Sequence, residues 1–426
     1  MCAITRCFSL AKRFTDSFLK EGSKVALKRA GNKFLEILSD KGILSSGRYL
    51  EYKEVLGYRS VYQSNEIISG KPTVKAIAFY LPQFHSFPEN DLWWGKGFTE
   101  WTNTRKALPL FKGHYQPREP HDDIGYYNLA NVETLKKQVK LAQEHHIFGF
   151  CFYYYWFSGH CLMEKPLDLF LGDPDIDFPF CLCWANDSWT KRWACANDDI
   201  LIKQEYNLAD RELFILDIKK YLLDPRYIRV NGKPVIIVYN PGNIPNVKSV
   251  FRCWKKTAKQ CGIGEISIWI VRSFTNTIHS LELEELVDRE IEFPPHAYAF
   301  VISRTNKQVK NNRGSIFDYV EFVHKVLESR TYNNKIYRTV MLGWDNSARM
   351  EKGYAIYDHF DLKTYYDWLR ANVVETEKTF NAEERFIFIN AWNEWGEGTY
   401  LEPDKRYGYT NLNVTTRAIL NKPFEL

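Results

Sequence analysis

The chain has 426 residues, of which 45% are hydrophobic, so it can bury a sizeable core as one large domain or two modest ones. Residues 1–59 hold twelve Lys or Arg against six Asp or Glu, a net +6, so of the total +5 the remainder carries −1, which indicates no nucleic-acid-binding surface. No stretch approaches 18 apolar residues, which argues against a membrane-spanning helix, and nine cysteines without paired spacing argue against a disulfide framework.

Residues 1–70 are predicted to form a separate, basic helical extension. Leu10, Phe14 and Phe18 fall on one helical stripe with lysines and arginines around it. Such a pattern is typical of helices that lie on an anionic membrane surface. A basic helix packed on the main domain, or one left over from a longer multidomain arrangement, explains the same pattern at least as well.

From residue 71 onward apolar runs alternate with helix-like stretches, and residues 71–426 are predicted to be one domain. The apolar runs cover residues 74–81, 147–155, 178–184, 235–239, 266–271, 299–302, 339–342 and 386–391. The helix-like stretches cover residues 132–145, 213–223, 250–260, 316–327 and 362–374. Near-continuous apolar strands alternating with helices are typical of a parallel sheet buried on both faces.

Eight such runs predict an α/β fold, a closed (β/α)8 barrel of the TIM type. The sixth run is the least regular, and residues 292–295 just before it are an alternative strand end. An open, doubly wound sheet would carry a glycine-rich turn after the first strand, which residues 80–85 lack.

In such a barrel the chemistry lies at the carboxyl ends of the strands. Almost every predicted end carries an aromatic ring beside a hydrogen-bonding group, as a sugar with apolar faces and polar hydroxyls requires. The predicted substrate-binding residues are Tyr80, Gln83, His85, Trp94, Glu100, Trp101, Tyr153, Trp184, Asn186, Asp187, Tyr239, Trp344, Asp345, Asn393 and Trp395. Trp189, Arg192, Trp193 and His296 occupy similar positions.

The eighth run leads into the segment 393–399, which contains Glu394 and Glu397. If these residues form one helical turn, both carboxyl groups lie on one face, roughly 5–6 Å apart at Cβ. Retaining glycosidases use a separation of ~5–5.5 Å. We therefore predict Glu394 and Glu397 as catalytic residues, with Trp395 between them as an apolar plate for a sugar ring. A solvated loop with two surface acids is the alternative.

Other motifs are weaker. Asp173, Asp175 and Asp177 include a DxD pattern of the kind that can hold a divalent metal, but the intervening Pro174 favours an ordinary turn. Phosphate-binding glycine loops, a nucleophilic serine elbow and spaced Cys/His pairs are absent from the sequence. We expect no metal and no cofactor.

Five blocks of the sequence resemble the WbsX-like proteins, which occur in bacterial O-antigen and surface-polysaccharide gene clusters and are described as glycosyltransferases. The blocks are residues 79–85, 94–101, 184–187, 343–346 and 390–398, and the likeness spans residues 74–410. That family looks related to the endo-α-mannosidases, retaining enzymes with a (β/α)8 barrel. By this resemblance Glu394 would take the proton of a sugar 2-hydroxyl, and Glu397 would act as general acid and then base. Gly396 departs from the histidine of the endo-α-mannosidases, which puts the substrate contacts of that turn in question.

Three functions remain open at this point. The first is a retaining glycoside hydrolase or transglycosidase acting on an α-linked, mannose-like oligosaccharide. The second is a transferase that uses a nucleotide- or lipid-activated sugar in O-antigen assembly, and the third is a non-catalytic sugar-binding protein. The expected partner is an oligosaccharide or a lipid-linked saccharide. The expected location is the cytoplasm, since the amino terminus lacks a signal peptide's apolar core, with peripheral contact to the inner membrane if the basic extension binds lipid.

Overall fold

The computed structural model describes residues 62–190, 200–207, 209–273, 276–298 and 313–426. Most of the predicted extension, with Leu10, Phe14 and Phe18, lies outside the described residues. The same is true of Arg192, of Trp193 and of the predicted sixth strand at residues 299–302.

The part of the predicted extension that is described, residues 62–70, contains no helix, so the prediction is wrong for these nine residues. Their polar backbone groups bind the carboxyl-terminal part of the chain instead. The Gln63 amide donates to the Tyr407 carbonyl at 3.1 Å, and the Tyr409 amide donates to the Gln63 carbonyl at 2.8 Å. The Asn413 side chain donates to the Ser64 carbonyl at 3.0 Å. These hydrogen bonds hold residues 62–70 against the last helix of the domain and the residues just before it.

Within the described residues, eight parallel strands form the barrel. They are β1 (Lys75–Tyr80), β2 (Gly149–Phe157), β3 (Phe180–Trp184), β4 (Lys233–Val238), β5 (Ser267–Arg272), β6 (Arg289–Glu292), β7 in two pieces (Ile336–Tyr337 and Thr339–Met341) and β8 (Phe386–Asn390). Sequential strands are neighbours, β8 pairs with β1, and all of these pairings are parallel. The first piece of β7 pairs with β6 and the second with β8, so the ring closes through this segment. The predicted (β/α)8 barrel is confirmed.

The strands form because their residues are apolar at nearly every position. In β3 and β8 every residue is buried, and in β1 and β4 only the first residue is not. A strand buried on both faces is what a barrel with an outer layer of helices requires. The sixth strand lies earlier than predicted, at Arg289–Glu292, and it ends where the alternative reading of residues 292–295 placed it.

The α-helices of the described residues are α1 (Pro88–Trp94), α2 (Glu100–Lys106), α3 (Val132–Glu144), α4 (Lys165–Gly172), α5 (Asp210–Leu222), α6 (Val247–Gln260), α7 (Tyr319–Glu328), α8 (Leu362–Thr379) and α9 (Thr410–Ile419). The helix predicted from residue 316 begins later, because Ser315–Asp318 is a strand. Asp318 caps α7 by accepting a hydrogen bond from the Glu321 amide at 2.8 Å. Within 276–288, between β5 and β6, the chain forms turns and no helix.

Short elements decorate the strand ends. Pairs of short strands are His160–Leu162 with β2, Trp189–Thr190 with Ile200–Ile202, Arg229–Val230 with β4, and Asn393–Glu394 with Thr399–Tyr400. Ser315–Asp318, Ala355–Asp358 and Trp344–Asp345 form a small sheet. Single 3-10 turns are Pro241–Asn243, His296–Tyr298, Asn346–Ala348, Ala382–Glu384 and Trp395–Glu397. None of the helices that the structure describes is both long and apolar enough to span a membrane.

Candidate active site

A cleft of about 260 Å³ opens at the carboxyl ends of the barrel strands. It is lined by residues that follow β1, β3, β4, β6, β7 and β8 and by the end of β2. These residues are Leu81, Gln83, Trp94, Tyr153, Tyr155, Ala185, Asp187, Ser188, Trp189, Thr190, Leu201, Tyr239, Phe293, His296, Arg349, Glu394 and Glu397. Among the described residues, the lining of the cleft is therefore rich in aromatic rings and carries three carboxyl groups and one guanidinium.

Arg349 joins the carboxyl groups at the floor of the cleft. Its Nη2 lies 2.7 Å from Glu394 Oε2, its Nη1 lies 2.8 Å from Glu397 Oε1, and its Nε lies 2.7 Å from Glu100 Oε1. Arg349 is 6% exposed, and Glu100 is completely buried. One guanidinium thus binds three glutamates, of which Glu394 and Glu397 follow β8 and Glu100 lies in the connection between β1 and β2.

Burial governs the ionisation of Glu394 and Glu397. Removal from water raises the pKa of both carboxyl groups above the ordinary value. The positive charge of Arg349 opposes this effect for both, and the negative charge of Glu100 adds to it. The side chain of Glu394 is 6% exposed and that of Glu397 is 22% exposed, so Glu397 is the more open to the cleft. The two groups titrate as a pair that holds a proton to higher pH than isolated carboxyl groups.

Two glycines allow the turn that carries these acids. A Cβ atom on Gly396 would lie 1.8 Å from Glu100 Oε1 and 2.7 Å from Arg349 Nε, so no larger residue fits there. Gly398 has φ of 64°, and a Cβ atom on it would meet the Arg118 guanidinium at 2.8 Å. The space that a side chain at position 396 would fill is taken by Glu100 and Arg349.

The prediction that Trp395 offers a plate for a sugar ring is wrong. Its ring is fully buried, stacked on Tyr400 with centroids 3.8 Å apart, and its Nε1 donates to Glu402 Oε2 at 2.7 Å. Burial raises the pKa of Glu402 to about 7, while donors from Trp395, Gln138 and Tyr127 oppose the rise. Trp395 therefore packs behind the turn that carries Glu394 and Glu397 and does not line the cleft.

Aromatic side chains form a wall of the cleft. Burial, followed by the nearby charge of Glu394, raises the pKa of the Tyr153 and Tyr155 hydroxyls well above the ordinary value, so both stay protonated. The Tyr239 hydroxyl lies 3.1 Å from His296 Nδ1. Burial lowers the pKa of His296 to about 4, which keeps this imidazole neutral near pH 7. The wall offers neutral hydrogen-bonding groups and ring faces.

Asp187 is the third carboxyl group of the cleft. The side-chain amides of Asn240 and Asn243 both donate to its Oδ1, at 3.0 and 2.7 Å. Burial raises the pKa of Asp187, and the two amide donors oppose the rise. Because both donors use one oxygen, the other oxygen has no hydrogen-bond partner among the described residues.

Of the residues predicted to bind or transform substrate, seven line the cleft: Gln83, Trp94, Tyr153, Asp187, Tyr239, Glu394 and Glu397. Two predicted residues face the helices, because side chains alternate along a strand. The Tyr80 hydroxyl donates to Gln138 of α3 at 2.7 Å, and Trp184 packs on Phe214 and Trp254 of α5 and α6.

Other predicted residues bind neighbouring chain segments instead of the cleft. Asn393 Oδ1 accepts from the Leu81 amide at 2.7 Å, and Asn186 Oδ1 accepts from the Asn240 amide at 2.8 Å. Each asparagine thus ties the end of its strand to that of the adjacent strand. A buried His114 lies 2.7 Å from Asp345.

Four further predicted residues are also buried away from the cleft. His85 Nδ1 lies 2.9 Å from the Pro82 carbonyl, and Trp344 packs edge-on against His296. Trp101 Nε1 donates to the Tyr127 carbonyl at 2.8 Å, and Glu100 binds Arg349. These residues pack behind those that line the cleft. A pattern of residue types at strand ends does not distinguish such packing from direct contact with a substrate.

Sequence reasoning missed Arg349, the central cation of the site, and also Tyr155, Phe293 and several smaller lining residues. Arg349 lies three residues after the block 343–346, which resembles the WbsX-like proteins. This proximity is the feature of the sequence that could have indicated Arg349 as a site residue. The DxD pattern forms ion pairs instead of a metal site, with Lys136 Nζ 2.9 Å from Asp173 and 3.1 Å from Asp175.

Comparison with known proteins gives a family and a fold. The family model described as Glycosyltransferase WbsX matches residues 76–415. Two curated relatives, each named uncharacterized protein WxcX, come from Xanthomonas campestris pv. campestris strains B100 and ATCC 33913. Each is 39% identical over 350 residues, which are 82% of this chain and 50% of the relative. The chain therefore spans about half the length of the curated relatives it matches.

Two solved structures superpose on the chain at low sequence identity. A glycoside hydrolase-like protein superposes with a TM-score of 0.53 at 14% identity, over 85% of this chain and 98% of its own. A GH99 endo-alpha-mannosidase from Bacteroides thetaiotaomicron superposes with a TM-score of 0.49 at 14% identity, over 81% and 95% of the two chains. The first likeness shows a common fold.

Proposed function

The chain belongs to the WbsX glycosyltransferase family, a family of carbohydrate-active enzymes, and from this premise we propose that it makes or breaks an α-glycosidic, mannoside-like bond with Glu394 and Glu397. The observation that supports the proposal most strongly is the placement of both carboxyl groups on one guanidinium at the floor of an aromatic-lined cleft. Glycosidic bond chemistry needs two such groups, one to give a proton to the leaving oxygen and one on the sugar side.

We assign the base role to Glu394 and the acid role to Glu397. In the first step Glu394 takes the proton of the sugar 2-hydroxyl, and the oxygen closes on the anomeric carbon. At the same time Glu397 gives its proton to the departing glycosidic oxygen. In the second step an acceptor hydroxyl or water attacks the anomeric carbon and gives its proton to Glu397, while the bond between the 2-oxygen and the anomeric carbon breaks and the 2-oxygen regains its proton from Glu394. Both glutamates are restored, and two inversions give net retention.

Burial and exposure support this division. A general acid must keep its proton near neutral pH, which the raised pKa values of the pair allow. Glu397 is the more exposed of the two and has the better access to a leaving oxygen in the cleft. Arg349 binds both carboxyl groups and favours the carboxylate form of each, so the assignment of the two roles rests on the greater exposure of Glu397.

The cleft walls support a saccharide substrate. Trp94 and Trp189 offer partly exposed ring faces, on which the C–H faces of a sugar stack. Asp187 Oδ2, which has no hydrogen-bond partner within the described part of the chain, and the neutral Tyr239–His296 pair offer acceptors and donors to hydroxyl groups. We propose an oligosaccharide or lipid-linked saccharide of a bacterial surface polymer as the substrate, handled in the cytoplasm.

A second candidate function is transfer from a nucleotide- or lipid-activated sugar, which the description of the family as glycosyltransferases favours. Here a diphosphate would leave in place of a sugar hydroxyl. A third candidate is a sugar-binding protein without catalysis. These alternatives differ in which donor yields product, so the same assay separates them.

The test is incubation of the protein with oligosaccharides and, separately, with nucleotide sugars and an acceptor, followed by product analysis. We expect product from the oligosaccharide, and a loss of at least about 10²-fold in kcat for Glu397→Gln and for Glu394→Gln. Glu383→Gln, on a side chain that is 83% exposed, is the matched control and should keep full activity. Release of nucleotide that survives Glu397→Gln would overturn the glutamate mechanism, and unimpaired sugar binding with no product from any donor would favour the binding protein.

A further inference from the structure

We infer that Arg349 and Glu100 form a positioning pair that fixes the separation of Glu394 and Glu397 and, through its two opposite charges, controls the protonation of these two residues. The inference rests on the proposed function, because it concerns the same two glutamates. Arg349 lines the cleft and Glu100 is buried behind it, and neither is assigned the role of acid or base. Their effect on the reaction would be exerted through the glutamates that they hold.

The geometry of the guanidinium sets the separation. Its three nitrogens lie in one rigid plane and point in fixed directions. The two terminal nitrogens each hold one glutamate of the cleft, at 2.7 and 2.8 Å. The third nitrogen is held by Glu100 at 2.7 Å, which prevents rotation of the plane. A lysine could bind one or two of these carboxylates but could not impose the same angle between them.

Packing shows that the pair is built into the catalytic turn. Glu100 is the first residue of α2, and Arg349 lies in the loop after β7. Both side chains contact the backbone of Gly396, which lies between the two glutamates in sequence. The pair occupies the volume that any side chain at position 396 would need. The turn and the pair therefore fit only as a unit.

The charges of the cluster do not balance when all groups are ionised. Three carboxylates face one guanidinium, which leaves two negative charges in a buried place, and such an excess favours retention of a proton. Glu100 Oε2 is buried and has no hydrogen-bond partner among the described residues, so its charge acts on its neighbours with little screening.

The two members of the pair act on the proton in opposite directions. The charge of Glu100 raises the pKa of Glu394 and of Glu397, and the charge of Arg349 lowers both. Removal of Glu100's charge should therefore let the cluster ionise at lower pH, and removal of Arg349's charge should delay ionisation to higher pH. The other titratable groups that face the cluster are Tyr153, Tyr155, Asp187, Tyr239, His296 and, against Gly398, Arg118.

The test is an infrared titration of carboxyl protonation in the substrate-free protein, with the cluster's signal identified by its loss in Glu394→Gln. We expect the cluster to titrate lower by about one pH unit in Glu100→Gln and higher by about one unit in Arg349→Gln. Because Arg349→Gln leaves three buried carboxylates and endangers folding, Arg349→Lys is the second variant. It keeps the charge and should lower kcat at least about tenfold while KM changes little.

Glu384→Gln is the matched control, since it removes an equally short ion pair, 2.7 Å to Arg289, at the opposite rim of the barrel. It should leave the titration unchanged. Coincident titrations of wild type and Glu100→Gln, or shifts of Glu100→Gln and Arg349→Gln in the same direction, would overturn the inference. Because the titration needs no substrate, a lack of glycosidic activity would refute the proposed function alone. An active enzyme with an unmoved titration would refute the inference alone.

Discussion

At the scale of single residues, Gly396 is the position on which the site depends most. Its missing side chain is what allows Glu100 to reach Arg349 directly behind the two glutamates of the cleft. The sequence showed a glycine there and a departure from the histidine of the endo-α-mannosidases. It did not show that the vacant space is filled by two buried charged side chains from distant parts of the chain.

We predict that Gly396→Ala disrupts the cluster. The new Cβ atom would overlap Glu100 Oε1 at 1.8 Å, so the ion pair with Arg349 must move. The expected cost is about 1–3 kcal/mol in the free energy of unfolding, measured by urea denaturation, with a loss of activity that exceeds the loss of folded protein. Gly172→Ala is the control, since a Cβ atom there meets nothing within 4 Å. Full activity of Gly396→Ala would show that the packing of the pair is unimportant.

At the scale of elements, the turn after β8 is supported from its outer side by a polar network. Glu402 accepts hydrogen bonds from Trp395, from Gln138 of α3 at 2.7 Å and from Tyr127 at 2.8 Å. Trp395 itself packs between Trp101 and Tyr400. The alternation of tryptophan and glutamate in the sequence predicted a ring facing the sugar. The short 3-10 turn instead directs the two acids and the ring to opposite sides.

We predict that Trp395→Phe lowers the free energy of unfolding by about 2 kcal/mol, because it removes a donor from the buried Glu402. Trp94→Phe, at the cleft and partly exposed, is the matched variant and should change stability by less than about 0.5 kcal/mol. Urea denaturation measures both. Saccharide affinity, measured by calorimetry, should fall for Trp94→Phe. The reverse pattern, with stability kept and affinity lost in Trp395→Phe, would restore Trp395 as a sugar plate.

At the scale of the whole molecule, hydrophobic patterning sufficed to predict the barrel. Runs such as Phe386–Asn390 are apolar at consecutive positions. This pattern is typical of a strand that is buried on both faces. The sixth strand was harder, because three of the four residues of Arg289–Glu292 are charged and its buried acids bind partners elsewhere in the chain. One of them, Glu292, binds Arg338, the residue between the two pieces of β7.

The site was only partly predictable for a different reason. Residue types at strand ends indicate a polar, aromatic rim, but one residue of register decides whether a side chain faces the cleft or the helices, as Tyr80 and Tyr153 illustrate. Long loops add contacts that spacing cannot reveal. Arg349 reaches Glu100 across 249 positions of the sequence, and no local pattern encodes that meeting.

The most direct measurement is a crystal structure of the Glu397→Gln variant soaked with an oligosaccharide fragment of a bacterial surface polymer. We predict a sugar ring whose anomeric carbon lies between residues 394 and 397, with its 2-hydroxyl within hydrogen-bonding distance of Glu394 and ring faces against the aromatic wall. A saccharide bound with its glycosidic oxygens remote from both positions, while the cleft at Arg349 stays empty, would contradict the assignment of the glutamate pair as the reacting centre.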